Sequence, residues 1–268
     1  MKAWIMTVAK ERGIPVDPNP NIYPSVEQLA QVCRTHQVDG VALLTPEYAR
    51  LAREMKFDRV AISVREGHTT DQYVVLTRQD SGLERIEQLQ GRSLNVLQSP
   101  RMSLATIWLD TVLLQAGQKR TAEFFGRVTS ITKASRAALP VFFRQTDVCL
   151  MTRKSFEVMG ELNPQMNKQL RVLAVSPEVV PSCFAFRADY VSPFRAQMLT
   201  EMTHLGETPA GRQILALTQA ECIVDRPVSC LDSALELLAT HARLCADTNQ
   251  TAASATSLLP GEGKGTKE

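Results

Sequence analysis

Short apolar runs rich in β-branched residues alternate along the chain with stretches whose apolar positions recur every three or four residues. These are the periodicities of strand and helix. The first helical stretch opens at Ser25, where Gln28 three positions later completes a capping-box pattern and Val26, Leu29, Ala30 and Cys33 share one face. It ends near His36. Val38–Leu44 reads as a strand, and Thr45-Pro46-Glu47 supplies a cap, a first-turn proline and a first-turn acid for a helix continued by Tyr48, Leu51, Ala52 and Met55. Val60–Val64 and Tyr73–Thr77 read as strands on either side of a polar loop. A short helix from Ile86, a strand over Leu94–Leu97 and a long helix from Ser99-Pro100 to the stop at Gly117 follow. Then come a strand near Gly126–Ser130, a helix from Thr132 that Pro140 should kink, a strand over Asp147–Thr152 and a helix over Ser155–Leu162. Arg171–Val175 and Cys183–Phe186 complete the strands, and Pro193–Leu205, Ala210–Thr218 and Leu231–Leu244 read as helices.

This alternation predicts an α/β chain with mostly parallel sheets. Two segments stand outside it. Residues 2–12 read as an amphipathic helix, and a chain of this pattern normally opens with a strand, so the expectation is that the first strand of a doubly wound sheet is absent. Asp247–Glu268, rich in Ala, Thr, Ser and Gly without periodicity, reads as a disordered tail. Its GEGKGT run follows no strand and opens no helix, unlike a phosphate-binding loop.

Composition narrows the function. With 268 residues, 44% of them apolar, the chain can bury a large core, and a net charge of +2 is too small to imply a grip on nucleic acid. No apolar stretch approaches the ~18 residues of a membrane span, and the run Ala3–Ala9, stopped by Lys10-Glu11-Arg12, does not make a secretory signal. Cys33, Cys149, Cys183, Cys222, Cys230 and Cys245 show no close metal-ligand spacing and read as ordinary thiols. The four histidines are scattered, no nucleophile has an identifiable base, and neither a metal nor a cofactor is implied.

The candidate chemistry sits at three strand-to-helix junctions: Thr45-Pro46, Ser99–Ser103 and Thr132-Lys133. Each sets a hydroxyl beside the free N–H groups of a first turn, the arrangement that binds anions beyond the carboxyl ends of strands in open α/β sheets. Arg101 and Lys133 lie where the helix dipole disfavours a cation, a conflict that a bound anion would resolve. Asp147, at the start of its strand, is a candidate for the other end of a ligand in the same cleft.

In this order the elements resemble the substrate-binding proteins of phosphonate, phosphite and phosphate ABC transporters, which have the type II periplasmic-binding fold. VDGVALLTPEYARL (Val38–Leu51), LQGRSLNVLQSPRMSLATIWLDTVLLQAG (Leu89–Gly117), LPVFFRQTDVCLMTRKSFEVMGELNPQ (Leu139–Gln165) and RVLAVSPEVVPSCFAFRADY (Arg171–Tyr190) carry the resemblance. Where such proteins have a Ser/Thr run ending in Gly, this chain has Arg101, Met102, Ser103 and Leu104, and Arg144 stands where a Gly is usual.

The resemblance implies two lobes of doubly wound mixed sheet. Residues 1–75 plus 184–245 would form lobe one and 76–183 lobe two, ahead of a tail at 246–268, with crossings near Tyr73–Thr77 and Ser182–Arg187. It further implies a non-enzymatic protein of the periplasm that closes on a small anionic solute and delivers it to an ABC-transporter membrane permease. Ser99, Arg101, Ser103 and Thr45 would donate to the oxyanion, with Lys133 nearby, Tyr48 and Tyr73 would line the cleft, and Asp147 would select the ligand's other end. Two alternatives stay open: the ligand-sensing module of a signalling system, and an enzyme on the same fold working through Cys149 or His68.

Overall fold

A computed structural model describes residues 21–257, with three isolated positions before them, and burial as far as residue 248. Helix α1 (Val26–Arg34) starts where the Ser25 hydroxyl accepts from the Gln28 amide at 3.2 Å. Strand β1 (Gly40–Leu44) then runs directly into α2 (Thr45–Leu51), and β2 (Arg59–Val64) follows. Five further strands come next: β3 (Tyr73–Arg78), β4 (Ser93–Leu97), β5 (Arg127–Ile131), β6 (Val148–Thr152) and β7 (Leu170–Val175). Between them lie α3 (Ala105–Gln115), α4 (Thr121–Phe124), α5 (Ala134–Phe142), α6 (Arg153–Leu162) and α7 (Pro164–Gln169). The chain closes with β8 (Ser182–Phe186), α8 (Pro193–Thr203), α9 (Pro209–Leu217), β9 (Cys222–Pro227) and α10 (Asp232–Ser257).

The strands form an antiparallel sheet, ordered β1-β8-β2-β9, and a mixed sheet, ordered β5-β4-β6-β3-β7. The expectation of mostly parallel sheets is corrected: only β4 with β5 and β4 with β6 pair in parallel, and the five other strand pairings are antiparallel. In the first sheet each antiparallel contact joins strands placed before and after the two crossings, and in the second β3 pairs with β6 and β7 at the far end of the same lobe's sequence, neither of which alternation along the chain reveals. β9 was not legible as a strand, because Asp225, Arg226 and Pro227 break its apolar pattern. As an edge strand against β2 it buries little.

Each sheet has its own core. Val41, Leu43, Tyr48, Leu51, Val60 and Cys183 belong to the cluster of the first lobe, and Val74, Leu76, Leu94, Trp108, Leu109 and Leu150 to that of the second. The chain crosses between lobes at Arg65–Gln72 and returns at Ser176–Pro181; the predicted crossings, Tyr73–Thr77 and Ser182–Arg187, coincide with β3 and β8 instead. The two crossings pair. Asp71 and Val179 exchange N–H···O bonds of 2.8 and 3.0 Å, and the Tyr73 amide donates to the Ser176 hydroxyl at 2.8 Å.

Helix α10 runs on to Ser257, well into the segment read as a structureless tail. Extending a packed helix costs far less than nucleating one, and the Ala residues favour it, although the segment shows no amphipathic period. The predicted N-terminal helix, the missing first strand and residues 258–268 lie outside the described residues.

Candidate functional site

Strands β5, β4 and β6 are adjacent and parallel, so their carboxyl ends share one edge of the second sheet. The turns Gln98–Ser103, Thr132-Lys133 and Thr152–Lys154 leave from that edge, and the first and third of them touch the crossings. The first of these turns is a 3-10 turn, Pro100–Met102, ahead of α3. In the third, the Thr152 hydroxyl accepts from the Ser155 amide at 3.2 Å and caps α6. The end of β1 approaches from the other lobe: the Thr45 amide and hydroxyl donate to the Pro181 and Val180 carbonyls, at 3.0 and 2.5 Å. From the opposite side the Ser103 hydroxyl donates to the same Pro181 carbonyl at 2.8 Å. The helix starts at Thr45 and Ser103 thus flank one crossing, with both hydroxyls engaged by the chain itself. Thr45 is the first residue of α2 rather than its cap, and the Glu47 carboxylate instead accepts from the Leu44 amide at 2.8 Å.

Arg101 resolves its conflict with the helix dipole internally. Its Nε lies 3.0 Å from both oxygens of Asp71, and Nη2 also bonds Oδ1. The Asp71 side chain is 5% exposed, so the carboxylate is buried under the guanidinium and held to it bidentately. Bonding to Asp71 raises the Arg101 pKa against the opposing effect of burial. Asp71 was missed because it lies in a polar loop, where a lone Asp beside two threonines looks like any turn residue. The Lys154 ammonium meets Glu66 at 3.4 Å and Glu157 at 3.9 Å. Lys133 is exposed at the head of α5 and forms no ion pair among the described residues. Ser99 is exposed at the start of its turn and does not cap it through its side chain.

The remaining candidates lie elsewhere. Tyr48 is buried in the first-lobe core against Phe57, ring centroids 5.3 Å apart, and burial pushes its hydroxyl pKa up to about 12. Tyr73 is fully buried against Trp108; its hydroxyl donates to the Arg101 carbonyl at 2.9 Å, and burial raises its pKa. Tyr73 therefore supports the turn from beneath rather than lining a cleft. Asp147 is drawn to the other end of the sheet. Its carboxylate accepts from the Ser93 amide and hydroxyl at 2.9 and 2.6 Å, at the start of β4, roughly 13 Å from the strand's carboxyl end at ~3.3 Å per residue. Cys149 has no exposure, and burial raises its thiol pKa, which withholds the thiolate a nucleophile needs. Two surface concavities lie away from the strand ends: one beside α1 and α2, lined by Glu27, Arg50 and Glu54, and one between α3 and α10, lined by Trp108, Val112 and Leu237.

The order of elements and the paired crossings are shared with known proteins. The profile of the ABC transporter, phosphonate, periplasmic substrate-binding protein family matches residues 1–225. The chain belongs to that family. Its members bind solutes and do not catalyse reactions, so the expectation of a binding protein rather than an enzyme holds. No curated protein matches the chain in sequence. Among solved structures, a protein from Xanthomonas citri bound to ATP is 16% identical with a TM-score of 0.64, over 90% of this chain and 91% of that one. PhnD1 from Prochlorococcus marinus, in complex with methylphosphonate, is 16% identical with a TM-score of 0.56, over 87% and 89%. A binding-protein component of an ABC phosphonate transporter from Pseudomonas aeruginosa is 15% identical with a TM-score of 0.54, over 94% and 92%. At these identities the likeness shows a shared fold. The family is one of periplasmic proteins, and no helix among the described residues is long and apolar enough to cross a membrane.

Proposed function

We propose that this protein captures a small oxyanion of the phosphonate, phosphite or phosphate class at the carboxyl ends of β4, β5 and β6 and presents it to an ABC-type membrane permease. The observation that carries this reading is that, in a member of this family, three helix starts bearing hydroxyls and cations leave the adjoining carboxyl ends of β4, β5 and β6, two of them in contact with the crossings. The oxyanion would take the backbone amides of these first turns, the Ser99 hydroxyl, the Lys133 ammonium and the remaining N–H groups of Arg101. Thr45, Ser103 and Tyr73 would act by fixing the crossings and the turn. A ligand bound to the PhnD1 relative, methylphosphonate, belongs to the same chemical class.

The test is thermal unfolding of the protein against phosphate, phosphite, methylphosphonate, sulfate, methanesulfonate and acetate. One oxyanion at a hundred times its dissociation constant adds about 2.7 kcal/mol of stability. Lys133→Ala removes most of that gain while leaving the ligand-free melting temperature in place, because Lys133 is exposed and packs against nothing. An unchanged melting temperature with every anion refutes the reading.

A further inference from the structure

Four cations stand at the three strand ends, and three of them already have carboxylates. Arg101 after β4 is matched by Asp71. Lys154 after β6 is matched by Glu66 and Glu157, and its neighbour Arg153 by Glu157 at 3.1 Å. Only Lys133, after β5, has no acid against it among the described residues. A further guanidinium, Arg65, lies within electrostatic reach of Asp71 and Arg101 and donates to the Thr218 carbonyl at 3.2–3.3 Å. The carboxylates that do the matching differ in kind. Glu66 and Glu157 are half-exposed surface partners, screened by solvent, whereas Asp71 is buried, bidentate, and held in place by its own backbone, which exchanges hydrogen bonds with Val179 of the return crossing.

We infer that Asp71 is a specificity-determining residue: by cancelling the charge of Arg101 it lowers the positive charge at the strand ends by one unit, and it sets the site to take singly charged oxyanions in preference to doubly charged ones. Asp71 touches no ligand in this account and acts through Arg101. It holds the guanidinium in the first turn, where an incoming anion meets its remaining N–H groups, while removing the excess charge that would favour a dianion. Charge at close range under partial burial alters binding by an order of magnitude, so one carboxylate suffices. The inference rests on the oxyanion reading above and adds the charge state of the ligand to it.

The experiment compares matched pairs of anions that differ mainly in charge: methanesulfonate against sulfate, and the monomethyl ester of methylphosphonate against methylphosphonate itself at a mildly alkaline pH where it carries two charges. Affinities are measured by calorimetry on the wild type, on Asp71→Asn and on the double variant Asp71→Asn/Arg101→Gln. The wild type binds the singly charged member of a pair more tightly. Asp71→Asn shifts the ratio toward the dianion by about tenfold, and the double variant, neutral again, returns to the wild-type ratio. A merely structural role for Asp71 would weaken both members alike and leave the ratio unmoved, and that result overturns the inference. So does a wild type that binds the dianion more tightly, which keeps the question decidable if Asp71→Asn does not fold. If neither pair binds to any of the three proteins, the oxyanion reading itself has failed; binding with a constant ratio removes only the role of Asp71.

Discussion

Asp147 and Ser93 show how a polar pair can look like a site and be a staple. The Ser93 hydroxyl donates to the carboxylate at 2.6 Å and accepts from the Asp147 amide at 3.0 Å, which locks the starts of β4 and β6 to each other. Burial alone would raise the Asp147 pKa, but the Ser93 hydroxyl and amide, with Arg92 and Arg127, outweigh it and hold the carboxyl below its usual range. A carboxylate whose pKa is depressed by folding stabilises above its unfolded value, about 3.9, and that stability is lost as pH falls through the folded value. Asp147→Ala therefore lowers the unfolding free energy by about 1 kcal/mol at neutral pH, less where solvent screens the pair. The difference between the variant and the wild type vanishes in acid, and the response to anions is unchanged; denaturant melts at several pH values check all three. Sequence alone could not separate this role from ligand binding, because which end of the sheet a strand's first residue occupies depends on its pairing partners. The same holds for Tyr48. Its spacing from Leu51 places both on one helix face, but only the packing of Phe57 shows that the face is core.

At the scale of elements, most strands and helices were legible because their periods and caps are local properties. Ser25 with Gln28, Thr45-Pro46 and the stop at Gly117 all mark real boundaries. What local pattern could not supply was strand direction, since antiparallel pairing across the crossings depends on contacts more than a hundred residues apart. In helix α5, Pro140 lies inside the helix, which continues to Phe142. The proline sits in the last turn, so only the final residues lose support, and its carbonyl accepts from the Gln145 and Thr146 amides at 2.7 and 3.2 Å. The approach to the parallel strands is tighter than any pattern shows. A Cβ at Gly126 would lie 2.4 Å from the Gly91 carbonyl oxygen, where the two turns entering β4 and β5 bond each other through Gly91 N–H to Phe124 and Gly126 N–H to Arg92, at 2.8 and 3.0 Å. Backbone cannot yield there as a side chain would. Gly126→Ala costs about 1–3 kcal/mol, read as a lower denaturant midpoint with an unchanged slope.

At the scale of the molecule, one element joins everything that a binding motion would have to move. Leu235 packs into the first-lobe core just beyond Leu231, whereas Ala234, Leu237 and Leu238, on the adjoining face of the same helix α10, pack into the second. Between them the Ser233 hydroxyl donates to the Glu178 carbonyl of the return crossing at 2.8 Å. The helix packs on both α2 and α3, so the lobes are tied by a continuous apolar strap as well as by the two crossings. Each lobe keeps a core of its own, and beyond Val179 and Val180 of the return crossing, buried in the second and first cores, this strap supplies the apolar coupling on which cooperative unfolding of the two lobes depends. Leu237→Asp sets a carboxylate into the apolar cluster that contains Trp108 and has no cation to meet it, which detaches α10 from the second lobe and leaves Leu231 and Leu235 seated in the first. Scanning calorimetry of the wild type shows one transition. The variant shows two, the lower belonging to the second lobe, which loses the strap, with native amide exchange of β3 and β6 rising ahead of that of β1 and β8. Leu231→Ala, buried in the first core, destabilises by about 2–5 kcal/mol and, added to Leu237→Asp, lowers the first-lobe transition instead. Should Leu237→Asp still unfold in a single transition at a lower temperature, the crossings alone couple the lobes, and the strap contributes only stability.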